Sequence, residues 1–286
     1  MDQLHAYTHL HHSPSILVTD WDRVSEHRVD LTTHWPSGHE KWPYDPRLLT
    51  QTIRQTGLLV GHAERNVPLT HQTLLHHLNF TVRPGFRLPH GACARMDVEV
   101  TLTDGAGRRP AGKNLALDFR ISHQGETVAR ADSVFGWVSP AAYRRLRGDH
   151  LTVDWGRWPV PPPVEPAVVG RPSAVDVMLS ATDEPRRWQV RNDAENLLLF
   201  DHPVDHVPGL TLLEAAQQAA HATVIPGTFE PTGVAVVYQQ YVEFDRPSWI
   251  VADTPAVLPD GEVSLVVTGV QDDREAFRAT FTGRVG

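Results

Sequence analysis

Two stretches of the chain are apolar around most of a helical circumference, as expected for buried helices. The first covers residues 48–60 and follows Asp45-Pro46, an N-cap residue and a proline at the first helical position. The second covers residues 210–222 and is rich in alanine. Residues 96–103 and 263–270 alternate between apolar and polar side chains, as half-buried strands do. The pattern predicts two buried helices, each accompanied by strands.

The two halves of the chain carry these elements in the same order and with similar spacing. The matched segments are 16–20 with 177–180, 27–31 with 188–191, the loop 34–36 with 202–209 before the helices, and 80–84 with 244–247 after them. Coincidence does not preserve both order and spacing, so we interpret the chain as a tandem duplication. A proline-rich run unsuited to a helix or sheet interior divides it. The predicted parts are an N-terminal repeat at 1–150, a linker at 151–167 and a C-terminal repeat at 168–286.

Each repeat therefore contains one mostly buried helix, preceded by a short strand and followed by longer antiparallel strands. This arrangement predicts a curved sheet wrapped around the helix, which is the α+β hotdog fold. Two copies in one chain predict a double hotdog.

Composition narrows the range of functions. The net charge of −8 argues against a nucleic-acid partner, because such proteins bind through clustered basic residues. No apolar run is long enough to span a membrane, and the N-terminus lacks the pattern of a secretion signal. A single cysteine, Cys93, excludes an internal disulfide. We expect a globular cytoplasmic protein without a membrane or nucleic-acid partner.

Two clusters of ionisable residues have competing interpretations. The histidines at positions 5, 9, 11 and 12 have no acidic residue at ligand spacing, so we expect a solvated tail and no metal site. Arg144, Arg145 and Arg147 are interpreted as a solvated exit from the first repeat. The alternative is that these arginines meet an acidic partner or a phosphate.

Each predicted helix carries two polar residues three positions apart, Gln51 and Arg54 on the first and Glu214 and Gln217 on the second. Residues at this spacing share a face, and a buried charge is costly unless it is paired or used. Glu214 lies beside a loop with histidine and Pro-Gly, where a carboxylate can act as a general base on a hydroxyl. Backbone N–H groups at the helix start can polarise a thioester carbonyl. The alternative is that Glu214 caps the helix or pairs with an arginine.

Five segments, in order along almost the whole chain, resemble the A-factor synthase family of double-hotdog proteins, which make γ-butyrolactone or butenolide signals. The segments are 17–21, 45–59, 67–69, 139–148 and 200–216. The last is the most distinctive, with Pro208-Gly209 followed by Glu214-Ala215-Ala216. It also resembles the helix start of the acyl-carrier-protein dehydratases, a more distant group of hotdog proteins.

The resemblance implies a β-ketoacyl transferase of secondary metabolism that uses no cofactor and no metal ion. The acyl group would pass from an acyl-carrier-protein or acyl-CoA thioester to a hydroxyl of dihydroxyacetone phosphate or a related small acceptor, and the ester would then cyclise. This chemistry needs a base, donors for an oxyanion and a cation for the phosphate. We assign the base to Glu214 and the cation to Arg54. The complete predicted set is Glu214, Arg54, His34, Gln51 and Gln217 as catalytic residues and His39, His202, His206 and Gly209 as substrate-binding residues.

The chain departs from the family at both polar pairs. The family typically has Glu-x-x-Arg on both helices, whereas Gln51 replaces the first glutamate and Gln217 the second arginine. His34 stands where the family usually has glutamine. Three hypotheses remain open. In the first, one composite site survives, with His34 or His39 facing Glu214. In the second, the chemistry has changed to a different acceptor, or to dehydration or cyclisation of an acyl thioester. In the third, catalysis is lost and the protein binds a ligand.

Overall fold

The protein is represented by a computed structural model that describes residues 3–37, 44–88, 91–103 and 114–286. It divides into two compact units, Met1–Leu146 and Arg147–Gly286. The residues predicted as a separate linker, 151–167, fall within the second unit, where the Val164 N–H donates to the Leu179 carbonyl. The linker itself stays a prediction.

The first unit contains an antiparallel sheet with the strand order β1-β2-β4-β5-β6-β3. Its elements are α1 (Gln3–Thr8), β1 (Val18–Arg23), β2 (Arg28–Trp35), α2 (Pro46–Leu59), β3 (Gln72–Val82), β4 (Ala94–Thr103), β5 (Asn114–His123), β6 (Glu126–Val138) and α3 (Pro140–Arg147), whose last residue belongs to the second unit. Helix α2 packs against β1, β2 and β6, so the sheet curves around it.

Helix α2 begins where the sequence predicts. Asp45 is its N-cap and accepts a hydrogen bond from the backbone N–H of Arg47, with proline at the first helical position. The helix is buried on most sides, and Ile53 is completely inaccessible to solvent. Gly57 allows β6 to approach, because a Cβ there would lie 2.4 Å from the Phe135 ring. Helix and cap were therefore readable from local pattern.

The second unit contains an antiparallel sheet with the order β9-β13-β12-β10-β8-β7, and β11 pairs with β12. Its elements are β7 (Leu179–Ala181), β8 (Arg187–Val190), α4 (Gly209–Thr223), β9 (Phe229–Tyr238), β10 (Trp249–Ala252), β11 (Ala256–Val257), β12 (Val263–Gln271) and β13 (Arg274–Val285). Helix α4 packs against β7, β9, β10, β12 and β13. Four alanines of α4 are completely buried, and their small side chains let the strands approach the helix: Ala215, Ala216, Ala219 and Ala220.

Each unit is thus an antiparallel sheet wrapped around one helix, which confirms the predicted double hotdog. Two of the sequence matches are wrong in detail. Phe80 lies within β3, whereas Phe244 lies in a turn beyond the end of β9. His34 and Trp35 belong to β2 and not to a loop before the helix. Strand ends are set by pairing with distant partners, and local sequence pattern does not report those partners.

The segments that lead into β1 and β7 share one order of elements: a helical segment, a residue in the left-handed region and a 3₁₀ turn. In the first unit, α1 is followed by His9 in the left-handed region, with φ of 54°, and by a short 3₁₀ turn at Ser13–Ser15. In the second, a 3₁₀ turn at Pro166–Val169 is followed by Gly170, with φ of 64°, and by a turn at Ala174–Asp176. The duplication therefore extends upstream of the first strand of each repeat.

The N-terminal segment is folded. Helix α1 packs on α2, Thr8 is completely buried, and Leu10 is 3% exposed. The expectation of a solvated histidine tail is wrong for His5 and His9, which are partly buried because Leu10 anchors the segment in the core, whereas His11 and His12 are exposed. No described helix is long and apolar enough to cross a membrane.

Candidate active site

Glu214 lies in the second turn of α4, is 3% exposed, and forms a bidentate ion pair with Arg171. Arg171 Nε donates to Oε1 at 2.6 Å, and Nη2 donates to Oε2 at 2.8 Å. Gln218 Nε2 also donates to Oε1, at 2.5 Å. The ion pair offered by the sequence as an alternative role for Glu214 is therefore present. Its arginine comes from the loop after Pro166–Val169 and not from the helix.

The two oxygens of Glu214 have different numbers of donors. A carboxylate oxygen accepts about two hydrogen bonds. Oε1 receives two, from Arg171 and Gln218, and has its full complement. Among the described residues Arg171 alone donates to Oε2, so this oxygen retains one acceptor direction. The contacts thus distinguish one oxygen that is saturated from one that can still accept a proton.

The positive charge of Arg171 also acts on His221, farther along α4. Burial lowers the pKa of His221, and the nearby Arg171 guanidinium lowers it further. The ring therefore favours its neutral form, and its Nδ1 accepts the backbone N–H of Phe229 at 3.4 Å. Arg171 therefore contributes to the lowered pKa of His221 as well as pairing with Glu214.

Both helices use a glutamine to hold the segment that precedes the first strand. Gln218 Oε1 accepts the Met178 N–H at 2.8 Å, and its Nε2 donates to the Asp176 carbonyl at 2.7 Å. The first repeat has the same contacts: Gln55 Oε1 accepts the Leu17 N–H at 2.8 Å, and Gln55 Nε2 donates to the Ser15 carbonyl at 2.9 Å. Sequence reasoning missed both glutamines. A signal was present, because each directly follows the second member of its predicted polar pair.

The polar pairs themselves differ between the helices. Gln51 is 6% exposed and Gln217 8% exposed, so both amides are buried. Arg54 is half-buried, and its Nη1 donates to the Thr8 carbonyl at 3.2 Å, at the end of α1. The first unit therefore places a cation beside its N-terminal segment, and the second places a carboxylate beside Arg171.

The starts of the two helices also differ. Asp45 caps α2, whereas α4 begins after Pro208, and no described side chain caps its first turn. Gly209, predicted to bind substrate, has a packing role: a Cβ there would lie 3.1 Å from the Tyr238 ring, whose hydroxyl donates to the Gly209 carbonyl at 2.8 Å. The first-turn N–H groups of α4 are thus better suited to an anionic oxygen than those of α2, which face a carboxylate.

The loop before α4 contains two neighbouring aspartate–histidine pairs. His202 Nδ1 lies 3.1 Å from an oxygen of Asp201, and His206 Nδ1 lies 2.8 Å from Oδ1 of Asp205. Both histidine side chains are about a quarter exposed, at 23% and 26%. A carboxylate at Nδ1 fixes the orientation of an imidazole ring, which leaves these side chains oriented near the start of α4.

Arg147 anchors this loop and is not solvated, so the interpretation of the arginine cluster is wrong at this position. Its side chain is 2% exposed. It donates to the carboxylate and the backbone carbonyl of Asp205, both at 2.9 Å, and to both oxygens of Glu243 at 2.7 Å. The guanidinium also lies 4.3 Å from the centre of the Tyr241 ring. Burial alone would lower the pKa of Arg147, but hydrogen bonds to Glu243 and Asp205 outweigh it and raise the pKa.

Three of the predicted site residues, Gly209, Glu214 and Gln217, lie on α4, and His202 and His206 lie on the loop that enters it. His34 lies on β2 with an exposed side chain, and its backbone N–H donates to the Leu17 carbonyl at 2.9 Å. His39 lies outside the described residues. The pairing of His34 or His39 with Glu214 stays a prediction.

Comparison with solved structures supports the fold. The chain is similar to a 12:0-ACP thioesterase from Umbellularia californica, with a TM-score of 0.54, 10% identity, and coverage of 90% of this chain and 94% of that one. It is also similar to an acyl-ACP thioesterase from Bacteroides thetaiotaomicron, with a TM-score of 0.54, 11% identity, and coverage of 89% of this chain and 98% of that one. At this identity the likeness shows the fold alone, that of tandem hotdog proteins.

The family follows from the sequence comparisons. The model of the A-factor biosynthesis hotdog domain matches residues 5–139 and again 157–285, and the chain belongs to this family. A "2-oxo-3-(phosphooxy)propyl 3-oxoalkanoate synthase" from Streptomyces virginiae is 40% identical over 269 residues, covering 92% of this chain and 90% of the relative. A relative with the same name from Streptomyces coelicolor is 35% identical over 240 residues, covering 84% of this chain and 76% of the relative. The predicted family is confirmed.

Proposed function

We propose that the protein is a β-ketoacyl transferase that joins a 3-oxoacyl group to a hydroxyl of dihydroxyacetone phosphate. The product is a 2-oxo-3-(phosphooxy)propyl 3-oxoalkanoate, the compound in the names of the Streptomyces relatives. The observation that carries the proposal is a buried, oriented carboxylate, Glu214, behind the uncapped start of α4. This arrangement suits the attack of a hydroxyl on a thioester.

The transfer requires a proton to move twice. Oε2 of Glu214 accepts the proton of the acceptor hydroxyl while the hydroxyl oxygen attacks the thioester carbonyl. The carbonyl oxygen becomes an oxyanion, which the first-turn N–H groups of α4 stabilise. When the tetrahedral intermediate collapses, the C–S bond breaks and the thiolate takes the proton back from Glu214. The products are an ester and a free thiol, and Glu214 is again a carboxylate.

The ester is the substrate of the ring closure expected from the family. Its activated carbon lies between the two acyl carbonyls, and the ketone of the acceptor is the electrophile. Intramolecular condensation of the two, with loss of water, gives a butenolide phosphate. We propose the transfer as the enzymatic step, since it is the step named for the relatives.

One reaction mixture tests this function. The purified protein is incubated with a β-ketoacyl thioester and dihydroxyacetone phosphate, and products are identified by mass spectrometry while free thiol is measured colorimetrically. We expect one thiol released for each ester phosphate or butenolide phosphate formed. Absence of product with any three-carbon acceptor contradicts the proposal. Loss of water from a β-hydroxyacyl thioester would instead identify the protein as a dehydratase.

We propose Arg54 as the cation that binds the acceptor phosphate. Arginine presents a planar set of donors that matches a phosphate group. Replacement with glutamine is expected to raise KM for dihydroxyacetone phosphate at least tenfold and to change KM for unphosphorylated dihydroxyacetone little. Steady-state kinetics with the two acceptors measures the difference. An equal change for both acceptors would mean that Arg54 does not recognise phosphate. The composite site predicted from the sequence stays a prediction.

We propose an acyl carrier protein as the donor that presents the thioester, with α3 as its docking element. Arg144 and Arg145 are exposed there, and Leu146 beside them is 57% exposed. Two cations and an apolar side chain on a chain of net charge −8 form a local surface suited to an acidic protein.

Charge reversal on α3 tests this docking. The double variant Arg144→Glu/Arg145→Glu is expected to raise KM for a carrier-protein thioester at least tenfold, because rim charges steer association. KM for the same acyl group on N-acetylcysteamine should change less than twofold, which serves as the matched control. An equal loss with both donors, or no loss with either, contradicts docking at α3.

A further inference from the structure

The two units place different residues at one equivalent position. Leu10 directly follows His9, the left-handed residue of the first lead-in segment, and Arg171 directly follows Gly170, the left-handed residue of the second. Each is followed three residues later by the start of a 3₁₀ turn, and each turn is held by the glutamine of its helix. The conformation of the backbone and its tether therefore identify Leu10 and Arg171 as counterparts. Neither position shows this correspondence in its sequence.

The difference at this position matches the difference on the helix. The first helix has neutral Gln51 where the second has Glu214, and the lead-in segment of the first unit has apolar Leu10 where that of the second has Arg171. A buried carboxylate needs a cation, and a buried amide does not. The charge of the lead-in residue thus follows the charge at the first position of the polar pair, Gln51 or Glu214, in each repeat.

We propose that Arg171 is the positioning residue of the Glu214 site and supplies from the lead-in loop the guanidinium that α4 lacks at Gln217. The two hydrogen bonds from Arg171, one to each oxygen, fix the plane of the carboxylate. The bond to Oε1, together with the one from Gln218, saturates that oxygen. Oε2 is thereby selected as the oxygen that takes the acceptor's proton. This role rests on the proposed transferase function. It makes the second repeat the one that holds the base.

The variant Arg171→Gln tests the inference. It is expected to lower kcat about 100-fold with less than a threefold change in KM for either substrate, since the guanidinium acts through Glu214 and not on the substrates. The double variant Arg171→Gln/Gln217→Arg returns a guanidinium to the same face of α4, three residues from Glu214, and should regain at least tenfold in kcat. Arg171→Lys keeps the charge but loses the bidentate geometry, so its kcat should lie between those of Arg171→Gln and the double variant. Arg157→Gln, at an exposed ion pair with Asp154, is the matched control and should retain wild-type kcat.

Thermal unfolding distinguishes this inference from the proposed function. Arg171→Gln and Glu214→Gln should each lower Tm, and the double variant should lower it by less than the sum, because each single change leaves the other charge buried. Additive shifts overturn the inference, even if the wild type has no transferase activity. If the wild type is active, unchanged kcat in Arg171→Gln overturns it. A rise in KM for dihydroxyacetone phosphate alone also overturns it, since Arg171 would then bind the substrate.

Discussion

Replacement of Glu214 with glutamine is expected to lower kcat about 1000-fold, within the range in which a general base contributes to catalysis. Glutamine keeps the size of the side chain but is not basic, so the acceptor hydroxyl keeps its proton during attack. The amide also presents an N–H group toward Arg171, where the carboxylate accepted a hydrogen bond. Initial rates at saturating concentrations of both substrates measure the loss. We expect KM for the acyl donor to stay within threefold.

The control for this experiment is Glu195→Gln. Glu195 is an exposed glutamate of the same unit, outside α4. It should leave kcat unchanged. A Glu214→Gln enzyme that retains more than a tenth of wild-type kcat would assign the proton transfer to another group. Glu214 would then be a structural partner of Arg171, the alternative that the sequence left open.

The largest effect on stability is expected at Arg147. The change Arg147→Met removes a guanidinium that forms ion pairs with Asp205 and Glu243, whose side chains are only 16% and 13% exposed. Breaking a buried ion pair by removing one partner costs about 3–5 kcal/mol, because the remaining charges lose their compensation. We expect the free energy of unfolding of the second unit to fall by this amount. Denaturation in guanidinium chloride, followed by circular dichroism and tryptophan fluorescence, measures it.

Arg144→Met is the matched control, since Arg144 lies on the same helix and is exposed. Its effect should stay within about 0.5 kcal/mol. Equal losses in the two variants would show that the Arg147 network contributes little to stability. A large loss at Arg147 alone would support the anchoring of the loop that carries His206.

Local pattern was sufficient to predict much of the fold. Asp45 and Pro46 mark the start of α2, and the apolar circumference of both helices predicts their burial. The order of segments predicts the duplication. The ends of the strands were less predictable, as Phe244 and His34 show, because pairing across a sheet depends on residues far away in sequence.

The candidate site was only partly predictable for a related reason. Glu214 stands out in the sequence as an acid within an alanine-rich apolar helix. Its partner Arg171 lies in a loop with no periodic pattern, 43 residues earlier in the chain, and no local rule links the two. The role of Arg147 was hidden in the same way, since its acidic partners, Asp205 and Glu243, lie 58 and 96 residues away in sequence. Ion pairs between residues far apart in sequence depend on the fold, so they are identified from the structure and not from the sequence.

The shared glutamines have a consequence for how such a duplicated enzyme can diverge. Gln55 and Gln218 hold the backbone before β1 and before β7 with the same hydrogen bonds, whether the helix carries neutral Gln51 or charged Glu214. Each copy of the gene segment could therefore exchange the acid on its helix and keep this attachment, provided that the lead-in residue changes with it, as Leu10 and Arg171 differ between the two units. Protein engineers can use this scaffold to change the charge of one repeat while the glutamine preserves the attachment of its lead-in segment.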